Sequence, residues 1–132
     1  EISKLMILDT ENNLNYVMGY RFRSLSILRS NFDFGNFIFT SFFNILFQSH
    51  YKDVLCCAKA FYPSKMKNFK IFSNGFDIDV ELSSIFSIQS RKGETAQVFL
   101  NYKRRSSKEG KKLTVSDGWI VLLRIIKMIK HF

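Results

Sequence analysis

Apolar and polar positions alternate along the chain in ways that separate extended from helical segments. Runs of β-branched and aromatic residues predict strands at residues 16–22 and 95–102. Apolar residues spaced three and four apart predict helices at residues 35–47, 76–88 and 117–130. This order predicts an α/β fold, in which a short mixed sheet is flanked by helices and followed by a C-terminal basic amphipathic helix.

The first predicted helix carries a narrow polar stripe on an otherwise apolar surface. The stripe consists of Asn36, Thr40, Ser41 and Asn44, which recur three to four residues apart and therefore share one face. The helix is too short and too polar to cross a bilayer, and the pattern favours a core helix. Residues 2–8 have a helical pattern, whereas residues 23–34 are expected to form a loop.

Positive charge is concentrated near the C-terminus of a chain whose net charge is +9. Residues 103–112 contain six basic residues against Glu109 alone, and they lie between the second predicted strand and the last predicted helix. That helix adds a basic flank formed by Arg124, Lys127 and Lys130. Such crowding suits either a solvated loop or a site that holds an anion such as phosphate. Nucleic acid, a phosphorylated substrate and an anionic membrane surface all fit this charge.

The order of residues in this basic loop resembles a segment that closes the catalytic domain of family 2 glycosyltransferases. The resemblance is to the dolichyl- and polyprenyl-phosphate sugar synthase type. The matching positions are Tyr102, Arg105, Ser106, Glu109, Gly110, Lys111, Lys112, Leu113, Asp117 and Gly118.

Three earlier segments are similar to the same family. Val17 to Arg21 resembles a strand end whose Arg lies near the reaction centre, although Tyr20 replaces the usual Ser. Within residues 51–61, four positions match the family pattern: Asp53, Cys57, Lys59 and Phe61. Cys56 and Ala58 depart from the family pattern there, and Cys57 is expected to be a small packing residue. Gly75, Phe76 and Glu81 resemble a family helix.

The resemblance implies the acceptor-side half of an incomplete GT-A-like, Rossmann-like domain spanning residues 1–132. It implies Asp53 as a catalytic residue that receives a proton or holds a basic partner. It also implies substrate binding by Arg21, Lys59, Glu81, Arg105, Ser106 and Lys111. Glu81 would pair with the basic loop, or else be an exposed helix carboxylate.

For the intact protein, the resemblance implies transfer of a hexose from a nucleotide sugar to a lipid-phosphate acceptor at the cytoplasmic membrane face. A divalent metal, Mg or Mn, is implied for that enzyme, with ligands in an N-terminal half that is missing from this chain. Asp77 and Asp79 lie in the wrong segment to replace those ligands. The fragment alone is expected to be inactive, and no nucleic-acid partner is expected.

Two other classes of protein remain open from the residues alone. The first is a small basic module that binds nucleic acid or anionic membrane without catalysis, because Phe and Tyr are interleaved with Lys and Arg. The second is a structural remnant that self-associates through an exposed sheet edge. The adjacent Cys56 and Cys57 suit neither an ordinary disulfide nor a metal site, which favours a reducing compartment.

Overall fold

The computed structural model describes residues 1–22, 31–90, 94–101 and 114–131. The strands are β1 (Tyr16–Tyr20), β2 (Lys59–Phe61) and β3 (Thr95–Phe99), and the helices are α1 (Asn31–Phe47), α2 (Ile78–Gln89) and α3 (Val115–Met128). Short 3-10 turns occupy Ile2–Leu5, Pro63–Met66 and Ile129–His131. The prediction of an α/β fold with a short mixed sheet is confirmed.

The sheet is open and has the strand order β2-β1-β3. β1 is antiparallel to β2, with Met18 opposite Lys59, and parallel to β3, with Tyr20 opposite Phe99. Tyr16, Val17 and Met18 on the central strand are at most 1% exposed. A strand that is covered on both faces reads as a continuous apolar run, which is why these residues do not alternate with polar ones.

Gly19 lets β1 lie close to the segment that leads into β2. Its amide donates to the carbonyl oxygen of Ala58 at 2.7 Å, and a Cβ at position 19 would lie only 3.1 Å from both that oxygen and the Ala58 Cβ. The missing side chain therefore brings the end of β1 close to the residues that follow Asp53.

Helix α1 begins earlier than predicted. Residues 31–34 belong to the helix, so the prediction of a loop there is wrong. The buried positions of α1 follow the spacing of one helix face and are Asp33, Asn36, Thr40, Phe43 and Phe47. The polar stripe is thus turned inward over the first half of the helix, and Phe rings replace it over the second half.

The main core lies between the sheet and the three helices. Phe86 of α2 packs against Tyr16, with ring centroids 4.6 Å apart, and Phe43 stacks on Phe47 at 4.4 Å. From α3, Val121, Ile125 and Met128 enter the same cluster. Helices α2 and α3 form where the sequence predicts them, but their buried faces differ from the apolar pattern. Helix α2 buries Glu81 among its apolar residues, and Trp119 and Leu123 of α3 are exposed.

Several boundaries and pairings correct the expectations from sequence. The N-terminal helical pattern yields only the four-residue turn at Ile2–Leu5. Helix α3 begins with a capping box, in which Asp117 accepts from the Thr114 amide at 2.6 Å.

Arg124 does not belong to a solvated basic flank, because its Nε donates to Asp77 at 2.8 Å and its side chain is 18% exposed. In the described part of the chain, no helix has both the length and the hydropathy needed to cross a membrane.

Candidate functional site: a buried ion pair at the end of β1

Arg21 and Asp53 form an ion pair where β1 ends. The Asp53 carboxylate is 0% exposed, and it accepts from Arg21 Nε at 2.7 Å through Oδ2 and from Nη2 at 3.0 Å through Oδ1. This two-point geometry matches the planar fork of a guanidinium. The strand end supplies the Arg and the segment before β2 supplies the Asp, and Gly19 allows the two segments to lie this close.

Two further groups complete the coordination of the Asp53 carboxylate. Asn36 Nδ2 of α1 donates to Oδ1 at 2.9 Å, and the Arg21 amide donates to Oδ2 at 3.3 Å. We call Arg21, Asn36 and Asp53 together the Arg21–Asp53 site. Because four N–H groups share its two oxygens, Asp53 is arranged to hold a basic partner, the second of the two roles considered for it above.

The environment of Arg21 keeps its side chain charged. Burial alone would lower its pKa, but the hydrogen bonds and charge of Asp53 outweigh that effect and raise the pKa above its ordinary value. The Arg21 side chain is 25% exposed, so it also reaches the surface. The Arg21 guanidinium is therefore held charged and in a fixed orientation, with the Asp53 carboxylate against one of its edges.

Lys59 lies next to this site but inside the protein. Its side chain is 1% exposed, and Nζ donates to the carbonyl oxygens of Val54, at 3.2 Å, and Cys56. Asp79 Oδ1 lies 3.8 Å from Nζ. Burial lowers the pKa of Lys59 and raises that of Asp79. Lys59 thus fixes the backbone directly after Asp53, where its ammonium group is enclosed by the protein.

Glu81 has a different environment from the one expected for an exposed carboxylate. It is 0% exposed, which contradicts that alternative. Its oxygens accept from the amides of Phe72, at 3.0 Å, and Ser73, at 2.8 Å, and from the Ser73 hydroxyl. Glu81 therefore ties the segment before α2 to the helix, and its expected pairing with the basic loop involves residues outside the described part of the chain.

Of the remaining predicted residues, three lie outside the part of the chain that the structure describes, and the prediction for one is wrong. Arg105, Ser106 and Lys111 lie outside the described residues. The expectation that Cys57 is a packing residue is wrong, because Cys57 is exposed and Cys56 is the buried cysteine. Burial raises the pKa of the Cys56 thiol.

The described residues do not fit a divalent metal site. No group of three or more His, Cys, Asp or Glu side chains comes together in the part of the chain that the structure describes. Asp77 and Asp79 each face a cation, Arg124 and Lys59 respectively. The metal implied for the intact enzyme stays a prediction about residues beyond this set.

Helices α1 and α3 both carry large apolar side chains on their outer faces. The α1–α3 apolar surface is defined here by residues that are between 44% and 83% exposed. They are Phe34, Phe37, Ile38, Val115, Trp119, Ile120, Leu123 and Ile126. The two helices meet where the Phe39 ring packs on Gly118, at which an added Cβ would lie 3.4 Å from the ring. Lys127 and Lys130 of the C-terminal segment are exposed as well.

An open cavity of about 290 Å³ lies at the other end of β1, lined by Tyr16, Ser64, Lys65, Asn68, Gln89 and Glu94. The Tyr16 hydroxyl donates to Gln89 Oε1 at 2.5 Å. None of the predicted site residues that the structure describes lines this cavity, so the Arg21–Asp53 site and the cavity are at opposite ends of the strand.

Sequence reasoning identified Arg21 and Asp53 but assigned no role to two residues of the same region. Asn36 was noted only as part of a polar stripe, and Asp79 only as an unsuitable metal ligand. The signal for Asn36 was its place on a largely apolar helix, since a buried amide in such a setting requires a partner.

Comparison with protein-family models gave no match to the chain, and neither the curated proteins nor the solved structures gave a significant match.

Proposed function

We propose that the chain is the acceptor-side part of a family 2 glycosyltransferase with a GT-A-like fold. The intact protein would transfer a hexose from a nucleotide sugar to a polyprenyl or dolichyl phosphate. This part would supply the contacts to the acceptor phosphate and to the membrane surface. Catalysis would require the missing nucleotide-binding half, so no turnover is expected from these 132 residues alone.

The observation that carries the proposal is the meeting of two segments with separate resemblances to the family. Arg21 and Asp53 are 32 positions apart in sequence and form the bidentate pair at the end of β1. A charged guanidinium held in one orientation at the surface suits recognition of a phosphate group, which prefers planar, paired donors. Asp53 then acts by positioning Arg21.

The α1–α3 apolar surface supports a lipid-bearing acceptor. Large exposed apolar patches on a soluble chain commonly mark interaction sites, and Trp119 has the amphipathic ring that favours the membrane interface. Lys127 and Lys130 add the attraction of cations to anionic lipid, at about 1 kcal/mol each near the surface. The aliphatic majority of the surface also favours lipid over nucleic acid, because Leu, Ile and Val side chains offer no stacking face to a base. Only Phe34, Phe37 and Trp119 of this surface have such a face.

Vesicle binding tests the proposal. The chain is mixed with phosphatidylcholine vesicles containing either a polyprenyl phosphate or phosphatidylglycerol at equal surface charge, and binding is measured by co-sedimentation. Preference for the polyprenyl phosphate is expected, and Arg105→Gln with Lys111→Gln should reduce it. Lys67→Gln with Lys70→Gln removes the same charge from exposed positions elsewhere and serves as the control.

Equal binding to both kinds of vesicle would contradict the proposal and would instead favour a module that recognises anionic membranes without catalysis. The exposed apolar side chains of α3 are the specific observation behind that second candidate.

A further inference from the structure

The first half of α1 buries polar side chains, although the same part of the helix contains apolar side chains that could have been buried instead. Asp33, Asn36 and Thr40 are between 6% and 9% exposed, whereas Phe34 and Phe37 are each 48% exposed. Burial of an amide or carboxylate destabilises a fold unless hydrogen bonds compensate. The orientation of α1 therefore serves a polar contact at the Arg21–Asp53 site.

Asn36 makes that contact with one half of its amide only. Nδ2 donates to Asp53 Oδ1 at 2.9 Å, while Asn36 Oδ1 is buried and has no hydrogen-bond partner among the residues that the structure describes. The opposite orientation of the amide would place its oxygen against the carboxylate, so the donor contact fixes which way the group points. An unpaired buried acceptor lowers the stability of the fold. The contact between Asn36 and Asp53 is therefore made at a cost in stability.

We infer that Asn36 is a positioning residue, which holds the Asp53 carboxylate in the plane that aligns the Arg21 guanidinium with its anion. Asp53 Oδ1 accepts from both Asn36 and Arg21 Nη2, so rotation of the carboxylate would break both contacts together. Thr40 restrains the same segment one turn later, where its hydroxyl oxygen accepts from the Val54 amide at 3.3 Å. The inference rests on the proposed function for the identity of the anion, a lipid phosphate.

Asn44 provides a matched control on the same helix. It donates to the Tyr51 carbonyl oxygen at 2.7 Å and accepts from the Tyr51 amide at 2.9 Å, so it restrains the same connecting segment without touching Asp53. Loss of either Asn weakens the attachment of that segment to α1. Only loss of Asn36 removes a contact to the carboxylate.

The experiment compares Asn36→Ala, Asn36→Leu and Asn44→Ala in the full chain. The Leu variant fills the volume and removes the unpaired oxygen, so it guards against a folding defect in the Ala variant. Two quantities are measured: hydrogen exchange of the Arg21 Nε–H group by NMR, and binding to phosphatidylcholine vesicles that contain a polyprenyl phosphate. Both Asn36 variants should accelerate the exchange and weaken vesicle binding about tenfold, as expected for loss of a charge-assisted hydrogen bond. Asn44→Ala should leave both quantities near the unsubstituted values.

Unchanged Arg21 exchange in both Asn36 variants would overturn the inference, as would an equal effect of Asn44→Ala. If the unsubstituted chain does not bind the vesicles, the proposed function fails, and the NMR comparison still decides whether Asn36 positions the ion pair.

Discussion

Asp53 is a fully buried carboxylate, and its oxygens accept hydrogen bonds from Arg21 and Asn36 in place of the water lost on burial. Removal of Arg21 or Asp53 takes the ion-pair partner from the other, which destabilises the fold by more than the intact pair stabilises it. The same reasoning applies to Lys59, whose ammonium is enclosed by carbonyl oxygens and Asp79. At the scale of single residues, each of these buried charged side chains is surrounded by polar partners that replace water.

A double-mutant cycle measures how strongly Arg21 and Asp53 depend on each other. Asp53→Asn should destabilise the fold by about 3 kcal/mol, because Arg21 loses its charged partner. Arg21→Met combined with Asp53→Asn should cost less than the sum of the single substitutions, with a coupling energy of about 2 kcal/mol. Urea unfolding provides the free energies. Additive effects would show that the contact contributes nothing to stability.

Tyr16 gives a test based on pH. Burial raises its pKa from 10 to about 12, so the folded state keeps the phenol proton that the unfolded state loses in this window. The contribution of the hydroxyl is fully present below pH 10 and is lost as the pH rises towards 12. Tyr16→Phe, which removes the hydrogen bond to Gln89, should cost about 1 kcal/mol at pH 8.

That difference between Tyr16→Phe and the unsubstituted chain should shrink above pH 10 in urea unfolding experiments. Phe99→Leu, a substitution on β3 that removes no titrating group, serves as the control. A difference that stays constant up to pH 12 would argue against an elevated pKa at Tyr16.

Secondary-structure elements show where sequence patterns suffice and where contacts across the chain take over. The apolar runs of β1 and the periodicity of α2 and α3 predict those elements, because local spacing distinguishes strand from helix. Local spacing does not determine which helix face is buried, since Glu81 of α2 is buried and Trp119 of α3 is exposed. The start of α1 was misplaced, since residues 31–34 look like a loop until Asp33 is seen to face the protein interior. Glu81 and Arg124 were misjudged for the same reason: their partners, at positions 72, 73 and 77, lie in segments that local spacing does not bring together.

The end of α1 offers a substitution that should stabilise the protein. Gln48 follows the helix with φ of 49°, a left-handed conformation that glycine adopts without steric cost. Gln48→Gly should therefore raise the free energy of unfolding by about 0.5 to 1 kcal/mol. Thermal unfolding measures this increase in stability as a rise in Tm. Ser49→Gly, one residue later, should not stabilise, because the Ser49 hydroxyl donates to Asn44 Oδ1 at 2.8 Å.

For the molecule as a whole, the sequence predicted the fold class and singled out Arg21 and Asp53, which the structure brings together. The mixed three-stranded sheet follows from two recognisable strands, but β2 has only three residues and falls within a segment that the sequence pattern did not divide. Arg21 and Asp53 were singled out because each matches a family pattern. The orientation of α1 that points Asn36 into the protein depends instead on packing against several other elements. No local pattern records that packing.

The α1–α3 apolar surface makes a prediction about the behaviour of the entire chain. Leu123 is 56% exposed, so Leu123→Glu should leave stability nearly unchanged. It should weaken binding to vesicles that contain a polyprenyl phosphate about tenfold, the effect of withholding one Leu side chain from lipid. Ile2→Glu, at a position that is 80% exposed outside this surface, is the control. Trp119 is the only tryptophan, so a blue shift of its fluorescence reports contact with lipid.

The two neighbouring cysteines make Cys57 a natural attachment point for a probe. Maleimide reagents require an accessible thiol, and Cys57 is exposed. Cys56 is buried, and burial raises the pKa of its thiol. A single fluorophore or spin label should therefore attach at Cys57, four residues from Asp53, in the native chain. Without any engineered cysteine, distance measurements from that label would report whether a spin-labelled lipid binds near Arg21.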